Sequence, residues 1–130
     1  DELLNLATHV AFSQAALAAT ADTDDPALGL QRIALETDAW LAVTVGSEGV
    51  YWLDGGEVTH QPAFAVKVVD TVGAGDVFHG ALALAIAEGQ GSTAAVRFAS
   101  AAAALKCTRP GGRAGTPNRE EVHQLLLEDD

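Results

Sequence analysis

The sequence has few basic residues, a single cysteine and no long apolar run, and each shortage excludes a class of protein. Lys and Arg number 7 against 18 Asp and Glu, a formal net charge of -11, so no basic stripe is available for nucleic-acid phosphates. Because Cys107 is alone, no intrachain disulfide can form, which fits a reducing compartment. No apolar run approaches the roughly 20 residues that span a bilayer. We therefore expect a cytoplasmic protein without nucleic-acid or membrane partners.

Aromatic residues are also scarce, at 5%, although hydrophobic residues make up 48% of the 130. This composition is typical of a globular chain long enough for one modest domain. Alanine carries much of the apolar content, and alanine-rich helices pack closely while burying little area each. We expect a thin core, with Cys107 as small core filler at the end of a helix.

The first half of the chain predicts strands, two short helices and a hairpin. Asp25 can cap a helix whose first position is Pro26, and the sequence Asp54-Gly55-Gly56 is a strong hairpin signal. The predicted elements are a helix end from Leu3, a strand over 9–12, helices over 17–21 and 26–37, and strands over 41–45, 50–53 and 57–61.

The second half predicts one extended run and three helices. Ser92 is expected to cap the middle helix, and Asn118 with Glu121 resembles a capping box for the last. The predicted elements are an extended run over 64–69, helices over 74–88, 92–106 and 118–127, and a glycine-rich loop over 107–117. This order indicates one side of a layered α/β fold whose sheet continues elsewhere. We expect the 130 residues to be the C-terminal part of a longer protein.

The most informative stretch is a glycine-rich turn, Gly73-Ala74-Gly75-Asp76, that opens directly into a helix. Glycines let backbone N–H groups approach an anion, and a helix N-terminus adds the positive end of its dipole. The Asp76 carboxylate can accept a proton from an attacking hydroxyl. An anion cradle beside a base is what phosphoryl transfer to an alcohol requires.

Two other glycine motifs do not fit this turn. The dinucleotide fingerprint needs glycine where Phe78 stands, and the P-loop needs a lysine, but none lies between Lys67 and Lys106. The turn alone leaves an alternative: it is simply a tight loop, and Asp76 only interacts favourably with the helix dipole.

The surrounding blocks extend the match over almost the whole chain. The stretch 70–76 with Gly80 and Ala81 resembles the second signature of the ribokinase-like, or PfkB, carbohydrate kinases. Residues 44–49 resemble that family's nucleotide-binding strand and turn, 97–102 its late helix beside the adenine, and 108–112 its cation loop. The resemblance implies a ribokinase-like layered α/β fold, transfer of the ATP γ-phosphate to a sugar hydroxyl, and a homodimer of the full-length protein.

The resemblance also implies a role for individual residues. Asp76 is the general base, and the backbone N–H groups of Gly73, Ala74, Gly75 and Asp76 surround the transferring phosphate. Ser100 lies near the adenine, although a small residue at a helix contact explains it equally well. The implied nucleotide-binding residues are Thr44, Gly46, Ser47, Gly49, Gly75 and Ser100.

The implied cofactors are ATP and Mg²⁺, with potassium as a monovalent cation behind the cradle. Hard cations prefer oxygen ligands. Those implied here are an Asp70 carboxylate oxygen and the backbone carbonyls of Val72, Lys106, Arg109, Gly111 and Gly115. The alternative is a glycine-rich loop that simply turns, with Asp70 hydrogen-bonded to it.

The chain departs from the family at one motif. The family commonly carries Asn-x-x-Glu after an earlier strand, linked to magnesium and phosphate, but the matching residues here are Ser13-Gln14-Ala15-Ala16. Since the glutamate is absent, we expect ATP phosphates and water to hold the Mg²⁺.

Within the family, three stretches resemble the sulfofructose kinases: 60–66, 75–82 and 105–115. This likeness implies 6-deoxy-6-sulfofructose or another ketose as the acceptor, with the groups that grip the sugar mostly outside these 130 residues.

Two other functions compete with kinase activity as interpretations of the sequence. A nucleotide- or sugar-binding regulator of the same fold is opposed by Asp76 and weakly favoured by the missing glutamate, whereas a nicotinamide dehydrogenase fails on the glycine spacing. His9, His60, His79 and His123 stand on separate elements and form no metal-ligand pattern. His79 lies one turn from Asp76, where it either faces the site or is an ordinary surface histidine.

Overall fold

A computed structural model of the chain describes residues 4, 6–111 and 115–129. The fold is mixed α/β, with a four-stranded sheet and a set of helices, as predicted. The chain divides into two compact units, Asp1–Pro62 and Ala63–Asp130. The helix end predicted from Leu3 begins outside the described residues, and residues 112–114 of the predicted cation loop lie outside them too.

The first unit contains the sheet. β1 runs parallel to β2, and the pairs β2–β3 and β3–β4 are antiparallel. A parallel pair needs a crossover connection, which helices α1 and α2 supply between β1 and β2. The bounds are β1 His9–Ser13, α1 Gln14–Ala21, α2 Pro26–Ala34, β2 Trp40–Thr44, β3 Val50–Asp54 and β4 Glu57–Gln61.

Two local signals in this unit are confirmed. The Asp25 carboxylate accepts hydrogen bonds from the N–H groups of Ala27 (3.0 Å) and Leu28 (3.3 Å), with Pro26 as the first helical residue of α2. At the hairpin, Gly55 (φ 59°) and Gly56 (φ 88°) both have positive φ, which side chains disfavour and tight hairpin turns require.

The core of the first unit forms where the faces of the crossover helices meet the sheet. Leu30 and Ile33 of α2 are almost fully buried with Leu41 and Val43 of β2. Apolar spacing on α2 and the near-continuous apolar run of β2 therefore define the same core. Its remaining members are Leu4, Phe12, Leu17, Ala21 and Val45, with Val10, Ala39, Tyr51 and Leu53 partly buried against them.

The second unit is helical, with α3 Ala74–Ala87, α4 Ser92–Cys107 and α5 Arg119–Asp129. α3 and α5 both pack against α4. The α4 face is built largely of alanine, and Ala95, Ala99 and Ala101 are completely buried, as the composition predicted for closely packed helices. Within the described residues, no helix combines the length and apolarity needed to cross a membrane.

The extended run predicted over 64–69 is not a strand. Among the described residues it forms no ladder, and its end is attached to α4 instead. The N–H groups of Val69 and Asp70 both donate to the Cys107 carbonyl, at 2.7 and 3.1 Å. The end of the segment is held by a helix end, which apolar composition alone does not reveal.

The predicted cap of α4 is wrong by one residue, and the predicted cap of α5 is confirmed. Gly91 occupies the N-cap position of α4 without a side-chain cap, and Ser92 is already helical. At α5, Asn118 Oδ1 accepts from Glu121 N (2.9 Å) while Glu121 Oε1 accepts from Asn118 N (3.0 Å). This reciprocal pair is a capping box built with asparagine.

Candidate active site

The turn that ends β2 in the first unit is closed by backbone hydrogen bonds. Val45 N donates to the Gly49 carbonyl (2.8 Å), and Gly49 N donates to the Gly46 carbonyl (3.2 Å), which closes a tight 3₁₀ turn. Gly46 (φ 48°) and Gly49 (φ 96°) both have positive φ. Thr44 is half-buried at the strand end, and Ser47 is exposed at the tip. The turn therefore presents backbone and small polar groups.

In the second unit, the turn predicted to hold an anion is the N-terminus of α3. Gly73 is the N-cap residue in the left-handed conformation, with φ 79° and no side-chain hydrogen bond to the helix. Serine, threonine and aspartate, the residues that commonly cap helices, would bond the free N–H groups themselves. With glycine there, those donors stay available to a ligand.

The N–H groups of Gly75 and Asp76 precede the first helical hydrogen bond of α3. That bond is donated by Val77 N to the Gly73 carbonyl at 3.0 Å, so the helix itself supplies no acceptor for the two groups. A Cβ built on Gly75 would meet no described atom within 4 Å, and Asp76 is exposed. Open space next to Gly75, two N–H groups without a backbone acceptor among the described residues, and an exposed carboxylate thus lie at the positive end of a helix dipole.

His79 is held by the same helical turn. Its Nδ1 lies 2.7 Å from the Gly75 carbonyl oxygen, which can only accept, so Nδ1 carries the proton in this bond. The ring also contacts Phe78 edge-on. This bond anchors the ring to the backbone one turn below Asp76.

The segment before α3 is fixed to the loop after α4 by Asp70. Its carboxylate accepts hydrogen bonds from Val72 N (2.9 Å) and Gly111 N (3.2 Å). These two N–H groups, with a smaller contribution from the Lys106 charge, hold the pKa of Asp70 below its usual range. The carboxylate is therefore anionic and occupied by the backbone of both segments.

The side chain of Lys106 is a feature that the sequence analysis missed. Lysine in the last turn of a helix usually reaches solvent, but Lys106 is 0% exposed, and its Nζ has no hydrogen-bond partner among the described residues. The sequence implied a role only for its backbone carbonyl, as a cation ligand. Its position within an alanine-rich buried helix, directly after Leu105, was the available signal.

The glycines of the predicted cation loop lie around this lysine. A Cβ on Gly115 would lie 3.2 Å from both Cε and Nζ of Lys106, and a Cβ on Gly73 would lie 3.8 Å from Cε. Gly111 has φ 82°. The structure thus brings together Asp70, Gly73, Lys106, Gly111 and Gly115 within one unit.

Arg109 supports the loop through α5. Its guanidinium forms a bidentate ion pair with Glu121, whose pKa is held low chiefly by this bond and also by Asn118 N. The Arg109 backbone N donates to the Lys106 carbonyl at 3.2 Å. The capping box and the loop therefore share one carboxylate, a link that sequence spacing did not predict.

Ser100 is buried on α4, and its hydroxyl has no hydrogen-bond partner among the described residues. Such an orphaned hydroxyl is consistent with either interpretation offered for it, a ligand contact or a small residue at a helix contact.

Asp76 also lines an apolar cleft of about 390 Å³, whose other walls include Leu84, Phe98 and Pro117. Ser100 does not line that cleft.

Ser13, which replaces the asparagine of the family's Asn-x-x-Glu motif, caps a helix. Its Oγ accepts from Ala16 N at 3.1 Å at the start of α1. Among the residues that the structure describes, no group of three His, Cys, Asp or Glu side chains could hold a metal ion.

Cys107 is half-buried, and burial raises the pKa of its thiol. That change makes the thiol a weak nucleophile and fits a packing role.

Comparison with known proteins identifies relatives along most of the chain. Residues 1–119 match the model of the pfkB family of carbohydrate kinases. The ribokinase of Bacillus subtilis is 46% identical over 88 residues, which are 68% of this chain and 30% of that enzyme. The chain thus spans about a third of the length of the curated relatives it matches.

Solved structures agree with this match. The Arabidopsis thaliana ribokinase complexed with ribose and ATP superposes with a TM-score of 0.86 at 31% identity, covering 96% of this chain and 42% of that one. A fructokinase double mutant from Vibrio cholerae, with fructose, ADP and potassium ion bound, also gives 0.86 at 29% identity, with the same coverage. The mixed α/β fold is therefore that of the ribokinases.

Proposed function

The chain belongs to the pfkB family of carbohydrate kinases, and on that premise we propose that it forms the nucleotide-binding and catalytic portion of an ATP-dependent sugar kinase. The observation that carries the proposal is the uncapped N-terminus of α3, where the space next to Gly75 is open and Asp76 is exposed. Because the chain covers 42% of the Arabidopsis ribokinase, we propose that the sugar-gripping groups lie outside it.

In this proposal, Asp76 takes the proton of the acceptor hydroxyl as that oxygen attacks the γ-phosphorus. The bond from phosphorus to the β,γ-bridging oxygen breaks, and ADP leaves. Negative charge on the equatorial oxygens is stabilised by the N–H groups of Gly73, Gly75 and Asp76 and by the α3 dipole. These donors are fixed before the substrate arrives, so no reorganisation is needed during transfer. The Ala74 N–H, which was also predicted to surround the phosphate, instead donates to the Thr71 carbonyl at 3.1 Å.

We propose that Thr44, Gly46, Ser47 and Gly49 contact the nucleotide, and we propose a nucleotide contact for Ser100 as well. The positive φ of Gly46 and Gly49 supports the assignment, since that backbone leaves no side chain over the turn. Bound ATP in the Arabidopsis ribokinase supports ATP as the phosphoryl donor.

The two proposed metals fit the chain differently. The described residues supply no carboxylate cage, which suits Mg²⁺ held by ATP phosphates and water. When bound, Mg²⁺ neutralises charge on the β- and γ-phosphates. For potassium the oxygen donors around Asp70 are suitable, but the buried Lys106 side chain already brings a positive charge to their glycines. Potassium therefore enters no step proposed here.

We propose a ketose or pentose acceptor, with 6-deoxy-6-sulfofructose, fructose and ribose as the first candidates. The stretches 60–66, 75–82 and 105–115 favour the sulfonated ketose, whereas the ribokinase and fructokinase relatives favour the other two sugars. A cytoplasmic location and a homodimer of the full-length protein stay predictions.

Coupled ADP release tests the proposal. The full-length protein is assayed with Mg-ATP and each of the three sugars, and turnover with at least one of them is expected. ATP binding without ADP release for any phosphorylatable sugar would instead support the binding regulator. Absence of both ATP binding and turnover would overturn the kinase and the regulator together.

A further inference from the structure

The fold buries the Lys106 side chain without a hydrogen-bond partner for its Nζ among the described residues. This residue lies in the last turn of α4 at 0% exposure, and its Nζ has neither a hydrogen-bond acceptor nor an ion-pair partner among the described residues. A buried, uncompensated ammonium is costly. A lysine kept in such a position therefore calls for a role that a buried alanine or leucine would not fill.

The tip of Lys106 lies close to the first residue of the anion cradle. Its Cε approaches the Cβ position of Gly73, the N-cap residue of α3, while Cε and Nζ approach that of Gly115 across the loop. Any side chain at Gly115 would meet the ammonium at 3.2 Å, closer than ordinary contact. The two glycines thus leave room for this lysine between the turn before α3 and the loop after α4.

Asp70 is also close enough to Lys106 to be affected by its charge. Its carboxylate is held by Val72 N and Gly111 N, and the Lys106 charge acts on it without direct pairing. The ammonium is therefore next to the segments whose oxygens were predicted to bind potassium. Two monovalent cations in this space would repel each other at short range.

We propose that the Lys106 ammonium supplies the positive charge predicted for a bound potassium ion. Phosphoryl transfer would then be independent of added potassium. The inference rests on the proposed kinase function. An ammonium has the same single positive charge as K⁺, and it would act here through that charge, since its Nζ has no hydrogen-bond acceptor among the described residues. Because it is tethered to α4, it supplies positive charge near Gly73 at no cost in binding from solution.

Cation dependence of the full-length protein tests this proposal. ADP release is compared in tetramethylammonium, sodium and potassium chlorides at equal ionic strength. Wild-type rates should agree within about twofold, the range left to residual salt effects. Lys106→Met removes the charge at similar volume and should lower kcat by at least about tenfold. Lys106→Ala opens space, and potassium or ammonium ions should restore part of its activity.

Lys67→Met is the matched control, because Lys67 is an exposed lysine of the same unit. It should behave as wild type in every salt. Strong potassium activation of the wild type would overturn the proposal, as would Lys106→Met activity equal to wild type in all three salts. If the variants do not fold, the wild-type comparison still decides the outcome.

A thermal readout separates failure of this inference from failure of the proposed function. Ion binding to the folded state raises Tm. Potassium should raise the Tm of Lys106→Ala above its value in tetramethylammonium, and should leave wild type unchanged, whether or not any sugar is phosphorylated. A potassium-dependent rise in the wild-type Tm would show an open cation site and refute the role given to Lys106.

Discussion

The Asp70 carboxylate accepts a hydrogen bond from the Gly111 backbone N–H at 3.2 Å, which joins the segment before α3 to the loop after α4. Its other oxygen accepts from Val72 N at 2.9 Å. One side chain therefore joins the turn proposed to bind an anion to the loop near Lys106.

Replacing Asp70 with asparagine should loosen this connection. An amide has one acceptor oxygen, so one of the two N–H groups would face the NH₂ group instead. We expect a lower Tm and a fall of about tenfold in kcat, because the catalytic turn loses its fixed position. Thermal melts and ADP-release kinetics measure both. Asp24→Asn, at an exposed turn, is the control, and an Asp70→Asn protein equal to that control would contradict the role of Asp70.

Asp76→Asn should separate catalysis from binding. The amide cannot take a proton from the acceptor hydroxyl, so kcat should fall by about 10²–10⁴. The N–H groups of the turn remain, and ATP affinity by calorimetry should stay close to wild type. Retention of wild-type kcat would remove Asp76 from the mechanism.

Gly73→Ala and Gly89→Ala form a matched pair in the second unit. Both glycines have positive φ, 79° and 84°, and a side chain at either position should cost roughly 1–2 kcal/mol of stability. Only Gly73 stands at the anion-binding turn, so only Gly73→Ala should also lower kcat/KM, by about tenfold or more. Chemical denaturation and kinetics check the two effects. Equal kinetics for both variants would show that the conformation of Gly73 matters for folding alone.

The ion pair between Glu88 and Arg119, 2.8 Å apart, should give the protein an acid-sensitive contribution to stability. The hydrogen bonds from Arg119 hold the pKa of Glu88 below its usual range. The contribution is therefore present above the ordinary glutamate pKa of about 4.3 and disappears as pH falls through the lowered value.

Melting wild type and Glu88→Gln across pH tests this link. The Tm difference should be constant near neutrality and shrink below about pH 4. Glu36→Gln, at an exposed glutamate, should show no such convergence. A Tm difference for Glu88→Gln that persists unchanged into acid would exclude the ion pair as its source.

Much of the local structure was predictable because single residues dictate it. Asp25 and Pro26 specify the start of α2, and the two glycines of the hairpin supply the positive φ values that the turn needs. Asn118 and Glu121 likewise form their cap within four residues. In each case the controlling interaction is short-range in sequence.

The wrong or missed predictions concern residues whose environment depends on parts of the chain that are distant in sequence. The run over 64–69 has strand-like composition, but its final N–H groups bond to the end of α4. Lys106 has a sequence position typical of a solvent-facing helix end, and only the packing of α4 and its loop buries it. The Arg109–Glu121 pair escaped prediction for the same reason, since Glu121 already had a local role.

The Cys107 carbonyl accepts the N–H groups of both Val69 and Asp70, which ties an irregular segment to a helix end. Amide protons in segments without regular structure usually exchange rapidly with solvent. These two can exchange only when the bonds to α4 open. Their exchange rates therefore record how often the last turn of that helix comes apart, and the turn that leads to Gly73 stays positioned only between such openings.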